Sequence, residues 1–268
     1  MTAALTLHSL KRVRSLVLVL GMLLGGFQVM LILVARSIQR SEAFDQLTNL
    51  IPDFVRQLMG PGVIGLMSFS GIVCVGYFHV AVMGAVIGLV IGLATESASE
   101  IETRFIDLVL SRPVSRHQPI TRSAVLLLIC SAFVLSMMVI GTWVGLNWLA
   151  PEEATWPSKR LIGRLAMNLG LLMFCWGGIG IGINSFCRRR SVAGSLAGLL
   201  ALATYLLDYL ARAWAPAESI AWISPFRYYN PLDLIQGNPT PWYNPWVLLG
   251  LAIAGLGLGY VVFWRRDI

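Results

Sequence analysis

Lysine is almost missing from this chain: the 268 residues hold only Lys11 and Lys159, and neither follows a glycine. A phosphate-cradling loop needs the pair GK before Ser or Thr, so that backbone amides and the ammonium meet the phosphates together. The chain therefore has no means of holding ATP in that way. HExxH, GxSxG and paired Cys/His ligand sets are missing too, which removes the usual zinc and serine hydrolase chemistries. Catalysis is not expected of this chain, and no metal or other cofactor is expected to be bound by it. The four cysteines, Cys74, Cys130, Cys175 and Cys187, make no CxxC pair and sit in or at the ends of apolar runs. They read as packing thiols rather than a zinc site or a disulfide framework. Charge is scarce as well, at 12% against about a quarter in a soluble domain.

What replaces charge is apolar length. The mean hydropathy is +0.74, and 57% of the residues are hydrophobic, with 26 Gly and 9 Trp. Six apolar segments can be drawn, at Ser15–Ala35, Ile72–Ala94, Ser123–Leu149, Leu161–Phe186, Val192–Trp214 and Trp246–Trp264. Each reaches the roughly 20 residues a helix needs to cross the hydrocarbon. Backbone groups in lipid must be satisfied internally, and no alternating strand pattern is present, so the expectation is an all-α polytopic membrane protein. Residues 1–268 read as a single membrane domain. The first segment is too long for a signal peptide and ends in Arg36 without a small-residue cleavage site, so it reads as an anchor.

Lys and Arg set the expected orientation. With both termini cytoplasmic, the inner parts hold 12 of the 20 basic and 5 of the 13 acidic residues, leaving the inner side +7 and the outer side neutral. The cluster CRRRS at Cys187–Ser191 is the densest. Two outer connections are long. Ser37–Gly71 contains the amphipathic piece LTNLIPDFVRQLMG, expected as a short surface helix, and Ala215–Pro245 is rich in proline and aromatics. Such rings favour the membrane interface, though a gate or substrate rim is the other reading. Basic charge in this setting points to lipid headgroups rather than nucleic acid.

Polar side chains within the apolar runs are costly, and are candidates for a transport pathway. His79 lies within the second run, at i, i+4 from Met83 and near Cys74. A soft-metal relay through these three lacks a second ligand cluster, so a histidine bonded within the bundle is the preferred reading. Asp208 and Arg212, at i, i+4, can pair with each other near the outer end of the fifth run, and Arg164 and Asn168 are similarly placed on the fourth. Gly84, Gly88 and Gly92 form GxxxGxxxG, and Gly178/Gly182, Gly194/Gly198 and Gly255/Gly259 repeat the spacing. This spacing permits close helix approach.

The connection from Glu96 to Arg122 carries four of the five inner acids and four of the twelve inner basic residues. Read as a helix, it places Ile101, Phe105, Leu108 and Val109 on one face. Glu100, Thr103, Arg104, Asp107 and Ser111 fall on the other, and Pro113 ends the helix. An amphipathic helix of this kind lies on a bilayer surface or docks in a partner's groove.

In its motifs the chain resembles the permease subunits of ABC type-2 transporters. In that family an acidic helix containing Gly-Thr joins the second and third spans and ends in Leu-Leu-x-x-Pro-x-Ser-Arg. Here Glu100-Ile-Glu102 and then Leu108-Val-Leu-Ser-Arg-Pro-Val-Ser-Arg116 stand in that place. SPFRYYNP at Ser224–Pro231, the closing FWRRDI at Phe263–Ile268 and an amphipathic N-terminus at Leu5–Arg14 agree, so the resemblance covers the whole chain. Arg104-Phe105 stands where the family has Gly-Thr.

The resemblance implies an exporter permease in a bacterial-type plasma membrane. Its partners would be a second permease copy or similar subunit and two copies of a separately encoded ABC ATPase, which carry the ATP and Mg. It assigns ATPase coupling to Glu100, Glu102, Arg104, Phe105, Asp107 and Arg116, with the N-terminal helix separate from the first span. Two rivals remain. One is a scaffold or mechanical transmitter that moves no cargo; the other is an ion-coupled secondary transporter, which should carry a mid-membrane acid.

Overall fold

A computed structural model describes residues 2–40, 68–96, 102, 118–212 and 214–265. Six helical stretches within it are long and apolar enough to cross a bilayer, one for each apolar run of the sequence, and no strand occurs among the described residues. The first span is α1, Thr2–Arg40. The second is split into α2, Phe69–Val75, and α3, Val80–Ala94. The third and fourth are α4, Gln118–Leu149, and α5, Lys159–Phe186. The fifth is α6, Arg190–Ala211. After a short helix α7, Ala215–Glu218, two 3-10 turns and α8, Pro231–Gln236, the sixth span α9 runs Asn244–Arg265.

Two of these elements differ from expectation. The N-terminal amphipathic segment is not a separate helix: residues 5–14 are the first turns of α1, which continues unbroken for 39 residues. At a rise of about 1.5 Å per residue α1 is about 58 Å long, far more than the hydrocarbon thickness of about 30 Å, so several turns must project beyond the lipid. The second run is apolar throughout yet forms two helices. Ser68 caps α2 by accepting from the Gly71 amide at 3.0 Å, the chain turns through Gly76–Phe78, and His79 caps α3.

Packing explains the break. Gln28 of α1 is fully buried and its amide fills the space where a side chain at Gly76 would stand. Tyr77 is also fully buried, and its hydroxyl meets Thr142 Oγ1 of α4 at 3.0 Å. Thr142 already donates to the Met138 carbonyl at 3.0 Å, so Tyr77 is the donor in that pair.

The core is one bundle in which α1 packs along α4 and α5 along α9, with α3, α4 and α6 also resting on α5. Glycine permits both long pairings. A methyl on Gly141 would overlap the Gly25 carbonyl, and one on Gly178 would overlap the Ala252 carbonyl. Trp176, Leu165, Leu169, Leu172 and Met173 of α5 are buried at the centre.

Candidate functional site

The bundle has an arginine-rich end and an aromatic end, and each gathers polar side chains. At the arginine-rich end Glu96 follows α3 with only 4% of its side chain exposed. It takes two ion pairs: Arg12 Nη1 of α1 at 2.9 Å and Arg190 Nη2 of α6 at 3.2 Å. Arg190 also donates from Nη2 to the Gly92 carbonyl and from its backbone amide to Glu102 Oε2, both at 3.3 Å. A carboxylate removed from water needs such compensation, and here it is drawn from two other helices at once. The node therefore fixes the first turns of α1, the exit of α3 and the start of α6 to one another.

Of the six residues assigned to coupling, Glu102 is described and joins this node through Arg190. Glu100, Arg104, Phe105, Asp107 and Arg116 lie outside the described residues, as does the amphipathic piece at 47–60. Arg12, Glu96 and Arg190 were not among the expected site residues. Glu96 opens the charged connection, but nothing in its neighbourhood along the chain identifies two arginines that reach it from other helices.

At the aromatic end, the segment between α6 and α9 folds back into the bundle. Ser224 Oγ donates to the Thr204 carbonyl at 2.8 Å and accepts from the Phe226 amide at 3.2 Å, which pins the 3-10 turn Pro225–Tyr228 against α6. Phe226 is buried between Tyr205, edge-on at 5.3 Å, and Trp176 at 5.7 Å. Tyr229 then reaches the broken second span, where its hydroxyl donates to the Tyr77 carbonyl at 2.9 Å. Burial pushes the Tyr229 phenol above the ordinary tyrosine range, so it remains a donor.

Between this segment, α3 and α6 lies a cavity of about 400 Å³. Asp208 and Arg212 line it as an ion pair, with Arg212 Nη2 and Nε at 2.9 and 3.3 Å from Asp208 Oδ2. Arg164 and Asn168 line a separate, smaller cavity of about 150 Å³. The structure therefore does not unite the four polar residues in one path; Asn230 borders both cavities. His79 lines neither. It stands exposed at the start of α3, accepting from the Ala81 amide through Nδ1 at 3.3 Å, with its ring 5.5 Å from that of Phe27. Its role is that of a helix cap, and Cys74 belongs to the other half of the span. Among the described residues no group of three His, Cys, Asp or Glu side chains gathers at metal-binding distance.

The glycine motifs divide in two. Gly178 and Gly182 are filled by Ala252 and Gly255 of α9, and Gly255 and Gly259 by residues of α5. A side chain at Gly84, Gly88, Gly92, Gly194 or Gly198 would meet nothing within 4 Å.

A family model described as ABC-2 family transporter protein matches residues 3–268. No curated protein matches the chain.

Proposed function

The chain belongs to the ABC-2 family of transporter proteins, and on that premise we propose that it is the membrane-spanning permease subunit of an exporter driven by a separately encoded ATPase. The observation that carries the coupling is the node at Glu96. The connection expected to enter the ATPase begins at the residue that ties α1, α3 and α6 together. A push on that connection is delivered to three spans at their ends rather than to one. The missing GK[ST] pair supports the division of labour, with ATP and Mg held by the partner.

The arginine-rich end is assigned to the cytoplasm of a bacterial-type plasma membrane, and both termini with it. On the family membership we assign it a second permease copy, as a homodimer or with a similar subunit, served by two ATPase copies. The ion-coupled rival is disfavoured because Asp208, the acid it would use, is neutralised by Arg212.

The test is co-purification with the proposed ABC ATPase partner, followed by ATP hydrolysis in liposomes. Phe105→Asp and Glu102→Lys are expected to weaken the complex and abolish the dependence of hydrolysis on the permease. Unchanged complex formation and hydrolysis in both variants would sink the reading. Coupled hydrolysis with no cargo movement would identify a mechanical transmitter instead.

A further inference from the structure

The cavity at the aromatic end has a composition that the coupling mechanism does not use. We propose that it is a binding site for an amphipathic organic monocation, an ammonium or phosphonium centre carried on an apolar body. Its volume of about 400 Å³ lies in the range of about 300–1,000 Å³ that takes small organic ligands. Five rings line it: Phe78, Tyr205, Tyr209, Phe226 and Tyr229. The face of an aromatic ring is negative and attracts a cation within about 6 Å of its centroid. Three of these rings are held in place, since Phe226 is wedged between Tyr205 and Trp176 and the Tyr229 hydroxyl is committed to the Tyr77 carbonyl.

Charge decides between a cation and an anion. The charged side chains lining the cavity are Asp208, Arg212 and Asp233. Arg212 and Asp208 neutralise each other through two hydrogen bonds. Asp233 forms no ion pair among the described residues, so the lining carries one net negative charge. The starts of α3, at Val80, and of α8, at Pro231, also border the cavity and oppose that charge, while the end of α6, at Tyr209, adds to it. Each terminus contributes at most about half an elementary charge, the six-residue α8 less than that, and the Ala81 amide of α3 is already taken by His79. The full charge of Asp233 therefore prevails.

The apolar body has a place as well. A groove of about 280 Å³ shares Val80, Met83, Tyr205 and Phe226 with the cavity and continues along Ile87 and Leu202 without a charged residue. A cationic head in the cavity and an apolar body in the groove satisfy both linings at once.

The full chain in neutral maltoside micelles, without nucleotide or ATPase, is the material for the test. Tetraphenylphosphonium and tetraphenylborate share shape and apolar surface and differ in the sign of charge. Saturable binding of the phosphonium and none of the borate is expected. Asp233→Asn should weaken phosphonium binding about tenfold, the scale of one unit charge at a partly solvated site. Tyr209→Leu, at an exposed ring, should weaken it about threefold, with thermal unfolding unchanged in both variants. Displacement of the probe by added phosphatidylethanolamine, a zwitterion, would overturn the assignment to a net cation; no displacement is expected. Equal binding of the two ions, no binding of either, or an Asp233→Asn variant that binds like the parent would overturn the proposal. Because no ATPase is present, its failure leaves the coupling mechanism untouched, and failure of coupling leaves this site standing.

Discussion

A single carboxylate does the joining at the arginine-rich end. Glu96 is buried, while Arg12 and Arg190 keep 55% and 41% of their side chains in solvent, so removing either partner costs unequal amounts. Arg12→Gln leaves the buried carboxylate paired with Arg190, whereas Glu96→Gln removes both charge-assisted contacts at once. Arg12→Gln should therefore destabilise the protein by about 1 kcal/mol and Glu96→Gln by about 2 kcal/mol, in the range of charge-assisted hydrogen bonds. The double variant should cost less than the sum, because the two side chains share one interaction. Thermal unfolding in detergent reads all three; strict additivity would mean that the pair contributes nothing. The Asp208–Arg212 pair was legible in the sequence because i, i+4 spacing on a helix is local geometry. Glu96 was not, because its partners stand on α1 and α6, and no periodicity in one segment reports contacts brought together by tertiary packing.

At the scale of elements, glycine has two uses that the GxxxG spacing cannot distinguish. Gly178 faces the Ala252 backbone, which cannot step aside, whereas Gly88 faces open space. Gly178→Ala is expected to cost about 1–3 kcal/mol by overpacking. Gly88→Ala should leave the chain as stable or more so, since alanine favours a helix by up to about 1 kcal/mol over glycine. Unfolding midpoints that fall equally in both variants would refute the assignment of the two faces. The six spans were legible because length and apolarity in lipid admit only helices. The split of the second span was not: Phe69–Ala94 reads as one apolar run, and what opens it are Gln28 from α1 and Tyr229 from beyond α6.

The whole molecule is asymmetric along its long axis, with the run Arg188–Arg190 at one end and exposed Trp148, Trp214, Trp222, Trp242 and Trp246 at the other. All four native cysteines are buried, so introduced thiols can report the orientation with little background. Ser191 and Trp242 are exposed at opposite ends. Ser191→Cys should resist a membrane-impermeant maleimide in intact cells and react after permeabilisation, while Trp242→Cys should react in intact cells. The reverse pattern would invert the assigned orientation.

The break in the second span has a consequence for biogenesis. The hydroxyl that serves the Tyr77 carbonyl belongs to a residue 152 positions later, so it leaves the ribosome long after Tyr77 has entered the bilayer. An unserved carbonyl in hydrocarbon costs several kcal/mol, and an intact helix would supply its donor locally. Until the segment after α6 is made, the jointed form of the second span lacks this donor. The last-made third of the chain thus supplies one of the contacts that the joint requires.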